Sequence, residues 1–279
     1  MDDTVAVVTA AGLGTRMRPA TLVLPKEMFP LGDRPVLHHV VAEAAAAGLR
    51  QVILVVGGHG EMIERYFATV RRQAPELADV EIEYVYAPEP KGVGWSVLAA
   101  REAVSGRVAA VLLGDNVLPS PALLARLLAV HAETNGSVVA ATEVPDEDVG
   151  RHGCLEPVER NGDVVRLHGL VEKPLAGSAP SNLGVIGRYV LKPDIFDHLA
   201  VARPGLNNEI QLTDALSSLA RTGALCGVVT EIPHFDVGDP EGFVITALAF
   251  GLGRFDVAAW LKSWLSTYRA DGAASPPGG

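Results

Sequence analysis

Uninterrupted apolar runs separated by helix-patterned segments constrain this chain most. Val5–Ala10, Gln51–Val56 and Val108–Leu113 are short and nearly free of polar residues. A run of this kind marks a strand buried on both faces. Pro35–Ala47 lies between the first two and reads as a helix, with proline at its start and Gly48 just past its end. Glu61–Gln73 and Val93–Val104 also read as helices, the first amphipathic and the second entered through the glycines of KGVG. Val80–Tyr86 alternates and reads as a half-exposed strand. Helix Pro121–Glu133 and strand Ser137–Glu143 follow. Strand and helix thus alternate about four times, which predicts an α/β fold: a doubly wound, Rossmann-like, mostly parallel mixed sheet with helices on both faces.

The second half is less regular. Cys154–Glu159 and Val164–Leu167 flank Asn161-Gly162, a hairpin signal. Leu183–Leu191 and Leu225–Ile232 read as strands; Gln211–Thr222, Pro240–Leu252 and Asp256–Tyr268 read as helices. No repeat or linker divides the chain. One domain is expected over residues 1–269, followed by a disordered tail at 270–279.

The net charge is −10, a poor basis for holding nucleic-acid phosphates. No apolar run approaches the ~18 residues of a membrane span. Neither nucleic acid nor membrane is therefore an expected partner. Cys154 and Cys226 are the two cysteines, too few for a disulfide framework or a four-ligand zinc site. The N-terminal MDDTVAVVTA is acidic where a signal peptide is basic. The expected location is cytoplasmic.

The loop after the first strand, AAGLGTRMRPATLVLPKEMFP (residues 10–30), is basic and rich in turn formers. Gly12 and Gly14 allow close backbone approach to a ligand, and Arg16 and Arg18 can fork onto phosphate oxygens. Lys26 adds a point charge. Scattered solvated charges on a surface loop would read the same way, so the loop alone leaves both readings open. It lacks the Lys-Ser/Thr of a Walker loop and the third glycine of a dinucleotide fingerprint, where Met17 stands. A Rossmann oxidoreductase would also need an acid ~20 residues beyond the glycines; the second strand ends instead in Val56-Gly57-Gly58-His59, past that spacing.

Asp115 and Asp236 each follow an apolar strand. Carboxylates at strand ends facing a phosphate loop suit Mg²⁺, although either could simply cap a turn. Asp239, before Pro240, reads as a helix N-cap. Glu172-Lys173 offers a phosphate ligand and a hydroxyl acceptor, or else a solvated ion pair.

The stretches AGLGTRM, PKEM, KGVG, VEKP, PSNL–GRYVL, EIQLTDAL and FDVGDPEGF occur in register over residues 5 to 268. In these the chain resembles the bacterial UTP–glucose-1-phosphate uridylyltransferases, within the sugar-1-phosphate nucleotidylyltransferases. The resemblance implies that a sugar 1-phosphate attacks the α-phosphorus of an NTP and pyrophosphate leaves, UTP and glucose 1-phosphate being favoured. It implies catalytic roles for Arg16, Lys26, Asp115 and Lys173. It implies nucleotide contacts from Ala11, Gly12, Leu13, Gly14, Thr15, Ala87, Gly92 and Asp115. It implies sugar contacts from Asn116, Gly153, Glu172 and Lys173, and Mg²⁺ held by Asp115 and Asp236. It also implies a dimer or tetramer.

Four features depart from that pattern, one being the Gly114-Asp115-Asn116 turn, which resembles the thymidylyl branch where the uridylyl branch commonly has Pro-Asp-Val. Ala87 stands where a base-reading Gln is expected, Trp95 where a His is expected, and His152 where a Tyr is expected before Gly153. A purine NTP or dTTP with an unusual sugar 1-phosphate is the alternative these departures raise. A non-catalytic nucleotide-sugar sensor is a further one, opposed by the presence of both metal carboxylates.

Overall fold

The computed structural model describes residues 3–175, 177–205, 208–254 and 257–270. In chain order they begin with β1 (Thr4–Ala10), the two-residue strands β2 (Pro30–Leu31) and β3 (Arg34–Pro35), and helix α1 (Val36–Ala46). Next come β4 (Gln51–Val56), α2 (Gly60–Val70), β5 (Glu81–Tyr86), α3 (Val93–Ala99) and α4 (Arg101–Val104). Then follow β6 (Val108–Leu113), β7 (Asn116–Val117), α5 (Ala122–Thr134) and β8 (Ser137–Glu143). The second half holds β9 (Gly153–Asn161), β10 (Val164–Glu172), β11 (Leu183–Leu191), α6 (Ile195–Val201), α7 (Leu212–Ala220), β12 (Leu225–Val229) and β13 (Phe235–Asp236). It closes with α8 (Pro240–Arg254) and α9 (Ala258–Ala270).

Nine strands form one sheet in the order β5-β4-β1-β6-β11-β8-β12-β10-β9. β5, β4, β1 and β6 are parallel, β11 is antiparallel to β6 and β8, and β12 is parallel to β8. The mixed, helix-covered sheet agrees with the sequence-based expectation. Strand periodicity splits each apolar run between two cores. Ala6, Val8 and Ala10 of β1 join the cluster built with α1, α2 and α5; Val5 and Val7 join the opposite cluster, built with α3, α6 and α7. Burying each large side chain in these clusters contributes about 1.5–3 kcal/mol.

The expected helix Val93–Val104 is two helices that meet at Ala100. The hairpin strands β9 and β10 run longer than expected, because their exposed faces carry polar residues that hide the strand signal. The expected tail lies outside the described residues from 271 on, as does Asp256, the expected start of the last helix.

β1 sits between β4 and β6, so the chain leaves β1 to one side and later returns on the other. This is the reversal point of an open α/β sheet, where a crevice opens at the carboxyl ends of the strands. The 11–30 loop and the 114–116 turn both start there.

Candidate active site

A cavity of about 590 Å³ fills this crevice. One wall is the loop Ala11, Gly12, Leu13, Gly14, Thr15 and Arg16, with Lys26, Glu27 and Asp115 beneath it. The facing wall carries Pro90, Gly92, Val93, Ser96, Lys173 and Glu209. The loop turns sharply at Gly14, which holds the left-handed conformation with φ 58°. A Cβ there would stand 2.8 Å from the Thr21 methyl, and the Thr21 hydroxyl donates to the Gly14 carbonyl at 2.7 Å. Only glycine fits this turn without strain. Arg16, 63% exposed, lies 3.6 Å from Asp239. Asp239 caps α8 through Gly242 N–H at 2.9 Å, as its position before Pro240 predicts.

Lys26 sits in a short 3₁₀ turn and forms an ion pair with Asp115. Burial alone would lower the lysine's pKa, but Asp115, Glu27 and Asp236 hold it above its ordinary value. Burial acts in turn against the Asp115 carboxylate, yet Lys26 keeps its pKa below the usual range. Asp236 is set beside this pair by the short ladder that couples it to Asn116, and the Asp115 carbonyl accepts from Val237 N–H at 2.9 Å. Desolvation and the negative charge of Asp115 push the Asp236 carboxyl up. Two mutually repelling carboxylates brought together by the pairing of Asp236 with Asn116 are a hard-oxygen pair suited to a divalent cation. Among the described residues no group of three or more His, Cys, Asp or Glu side chains is placed to hold a metal alone.

Glu27 was not singled out from the sequence. It is 2% exposed, and its Oε2 has no hydrogen-bond partner. Burial pushes its pKa up to about 7, against the pull of Lys26.

On the opposite side, Lys173 lies 3.7 Å from Glu172, and the Thr213 hydroxyl donates to Glu172 Oε2 at 2.6 Å. Gly153 is buried and pairs with Glu172 across β9 and β10. Lys173 reaches the cavity wall; Glu172 and Gly153 stand behind it. Nearby, the His152 and His234 rings meet edge to face at 6.3 Å. Burial, together with the electrostatic effect of the neighbouring His152 and Arg188, lowers the His234 pKa to about 4. His234 borders a second cavity of about 210 Å³ shared with Asp236 and Asp239.

Besides Glu172 and Gly153, two further expected contact residues, Ala87 and Asn116, do not line the cavity. Ala87 is 4% exposed and packs in the core, its N–H donating to Val56 at 2.8 Å, so it does not line the cavity. Asn116 is 8% exposed, and its amide donates to Asp115 Oδ1 at 3.1 Å, which commits that group to the 114–116 turn. Trp95 is half-buried, with the Lys91 ammonium 4.7 Å over its ring.

Residues 5–249 match the nucleotidyl transferase family. The UTP–glucose-1-phosphate uridylyltransferase of Staphylococcus epidermidis is 37% identical over 278 residues, covering 93% of this chain and 96% of that protein. The second such enzyme of Staphylococcus saprophyticus is 39% identical, covering 88% and 91%. A crystal structure of UDP-glucose pyrophosphorylase complexed with UDP-glucose superposes with a TM-score of 0.85 at 32% identity, covering 90% of this chain and 99% of that one. The UTP-bound enzyme of Acinetobacter baumannii gives 0.82 at 32% identity, covering 94% and 98%.

Proposed function

The chain belongs to the nucleotidyl transferase family, and from that premise we propose that it joins UTP to glucose 1-phosphate, releasing pyrophosphate and forming UDP-glucose. The reaction class, a sugar-1-phosphate nucleotidyl transfer, is that of its relatives. One observation carries the reading onto these residues: a cavity floored by the Lys26–Asp115 pair and walled by the Gly12–Arg16 loop, with Lys173 facing it from the other side.

In this reading the triphosphate lies along the loop, where Gly12 and Gly14 admit it and Arg16 and Lys26 neutralise it. A phosphate oxygen of the sugar phosphate, held by Lys173, attacks the α-phosphorus. The bond to the β-phosphate oxygen breaks opposite, and pyrophosphate leaves with the electron pair. Such a step needs alignment and charge neutralisation more than covalent help. Asp115 and Asp236 would hold Mg²⁺, the nucleotide phosphates completing its shell, and the ion would supply charge neutralisation at those phosphates. Glu172, oriented by Thr213, accepts from sugar hydroxyls.

A second reading, a purine NTP or dTTP with a different sugar 1-phosphate, is favoured by the His152–His234 pair beside the sugar side. A homo-oligomer is supported by the apolar face of α8 and α9, where Ile245, Leu248, Leu252, Trp260 and Trp264 are exposed. The free thiols Cys154 and Cys226 accord with a cytoplasmic setting. The test is pyrophosphate release from UTP in the presence of glucose 1-phosphate and Mg²⁺, in the wild type and in Asp115→Asn. Loss of release in the variant supports the assignment; full release overturns it.

A further inference from the structure

Arg188 is fully buried on β11, and Glu43 on α1 is 6% exposed. They form a bidentate pair: Nε donates to Oε1 at 2.9 Å and one Nη to Oε2 at 2.6 Å. The same Nη donates to the Asn116 carbonyl at 2.9 Å, and the other donates to the Gly187 carbonyl at 3.0 Å. The fork is therefore spent on one carboxylate and two carbonyls. Gly187 has φ 70°, and a Cβ there would stand 2.8 Å from Asn116 Oδ1. β11 passes beneath Asn116 only because that Cβ is missing.

Asn116 links this buried pair to the catalytic carboxylates. Its amide donates to Asp115, and its backbone pairs with Asp236. A connected path thus runs from Glu43 through Arg188 and Asn116 to both acids. Stability gives weak reason to bury such a pair, since apolar replacements of similar volume are often neutral or better. Its position gives a stronger one. A planar guanidinium can fix a carboxylate and a carbonyl together in one geometry, which a lysine cannot reproduce.

We propose that Arg188 and Glu43 are positioning residues for the catalytic turn, holding Asn116 so that Asp115 and Asp236 keep the spacing the reaction needs. This rests on the reading of Asp115 and Asp236 given above. The test compares Arg188→Lys and Glu43→Gln with Leu49→Ala, a core truncation in the α1 layer away from the cleft, at temperatures where all are folded. Three quantities are read: kcat against KM, amide exchange over residues 114–117, and the calorimetric Kd for UTP with Mn²⁺.

Arg188→Lys is expected to lower kcat and weaken Mn²⁺–UTP binding by about 10- to 100-fold. It should also speed exchange in the turn by about tenfold, within the range of coupling along a connected network. Leu49→Ala should leave all three near wild type. If Arg188→Lys does not fold, Glu43→Gln carries the same expectation with a smaller loss. Equal behaviour of the foldable pair variant and Leu49→Ala would overturn the proposal. Failure of the underlying reading shows separately, as turnover that survives Asp115→Asn.

Discussion

Lys26 and Asp115, 89 residues apart in sequence, are ion-paired at the floor of the cleft. The cation proposed to grip phosphate and the acid proposed to bind the metal thus neutralise each other across the junction of β1 and β6. Each then has to exchange its partner for substrate or metal, which couples nucleotide binding to metal binding.

Lys26→Met should lower turnover by about 10²- to 10³-fold, the loss typical of one electrostatic group at the reacting centre. It should also move the acid limb of kcat/KM. Lys26 holds the Asp115 pKa below its ordinary value, so the wild-type pair is intact above about pH 4 and is lost as pH falls below that. Without the ammonium the Asp115 pKa rises, and the acid limb shifts to higher pH. A pH–rate profile of both proteins checks the direction.

Glu27 has the opposite sign. Its folded pKa is raised to about 7, so folding favours its neutral form. Its contribution is fully present below the unfolded carboxyl value of about 4.3 and is lost as pH rises towards 7. Glu27→Gln should therefore match the wild type in denaturant stability near pH 4.5 and exceed it at pH 8, by up to ~3 kcal/mol. Equal stabilities at pH 8 would mean that the carboxylate is accommodated.

Asp239 caps α8 with one oxygen and faces Arg16 and Arg151 with the other, at 3.6 and 3.8 Å. Asn caps as well as Asp but carries no charge. Asp239→Asn should keep the melting temperature and raise the nucleotide KM a few-fold, in line with an exposed pair worth up to ~1 kcal/mol. Asp239→Ala should lose both, the cap accounting for about 1 kcal/mol of stability.

Leu248→Glu combined with Trp260→Glu places charges on the exposed face of α8 and α9. Sedimentation should show a smaller species than the wild type. An unchanged mass would remove this face as the interface.

Much of the site was legible because its residues sit at the ends of apolar runs. Val108–Leu113 announces itself as a buried strand, and the acid just past it falls at a carboxyl end. Asp239 was legible as a cap because Pro240 follows it. The Arg188–Glu43 pair was not legible. Its members are 145 residues apart, and each reads as a single charge in an apolar segment. Glu27 was hidden differently: next to Lys26 it looks like half of a surface ion pair, and only the fold shows it buried. The place of Ala87 in the core depends on packing at the end of β5, which no local pattern encodes.

The central claim is tested most directly by pyrophosphate release from UTP, dTTP, GTP, ATP and CTP in parallel, each with glucose 1-phosphate and Mg²⁺, for the wild type and Asp115→Asn. The account predicts fastest release with UTP and a loss of at least about 100-fold in the variant. Release with none of the five nucleotides, or undiminished release by Asp115→Asn, would contradict it.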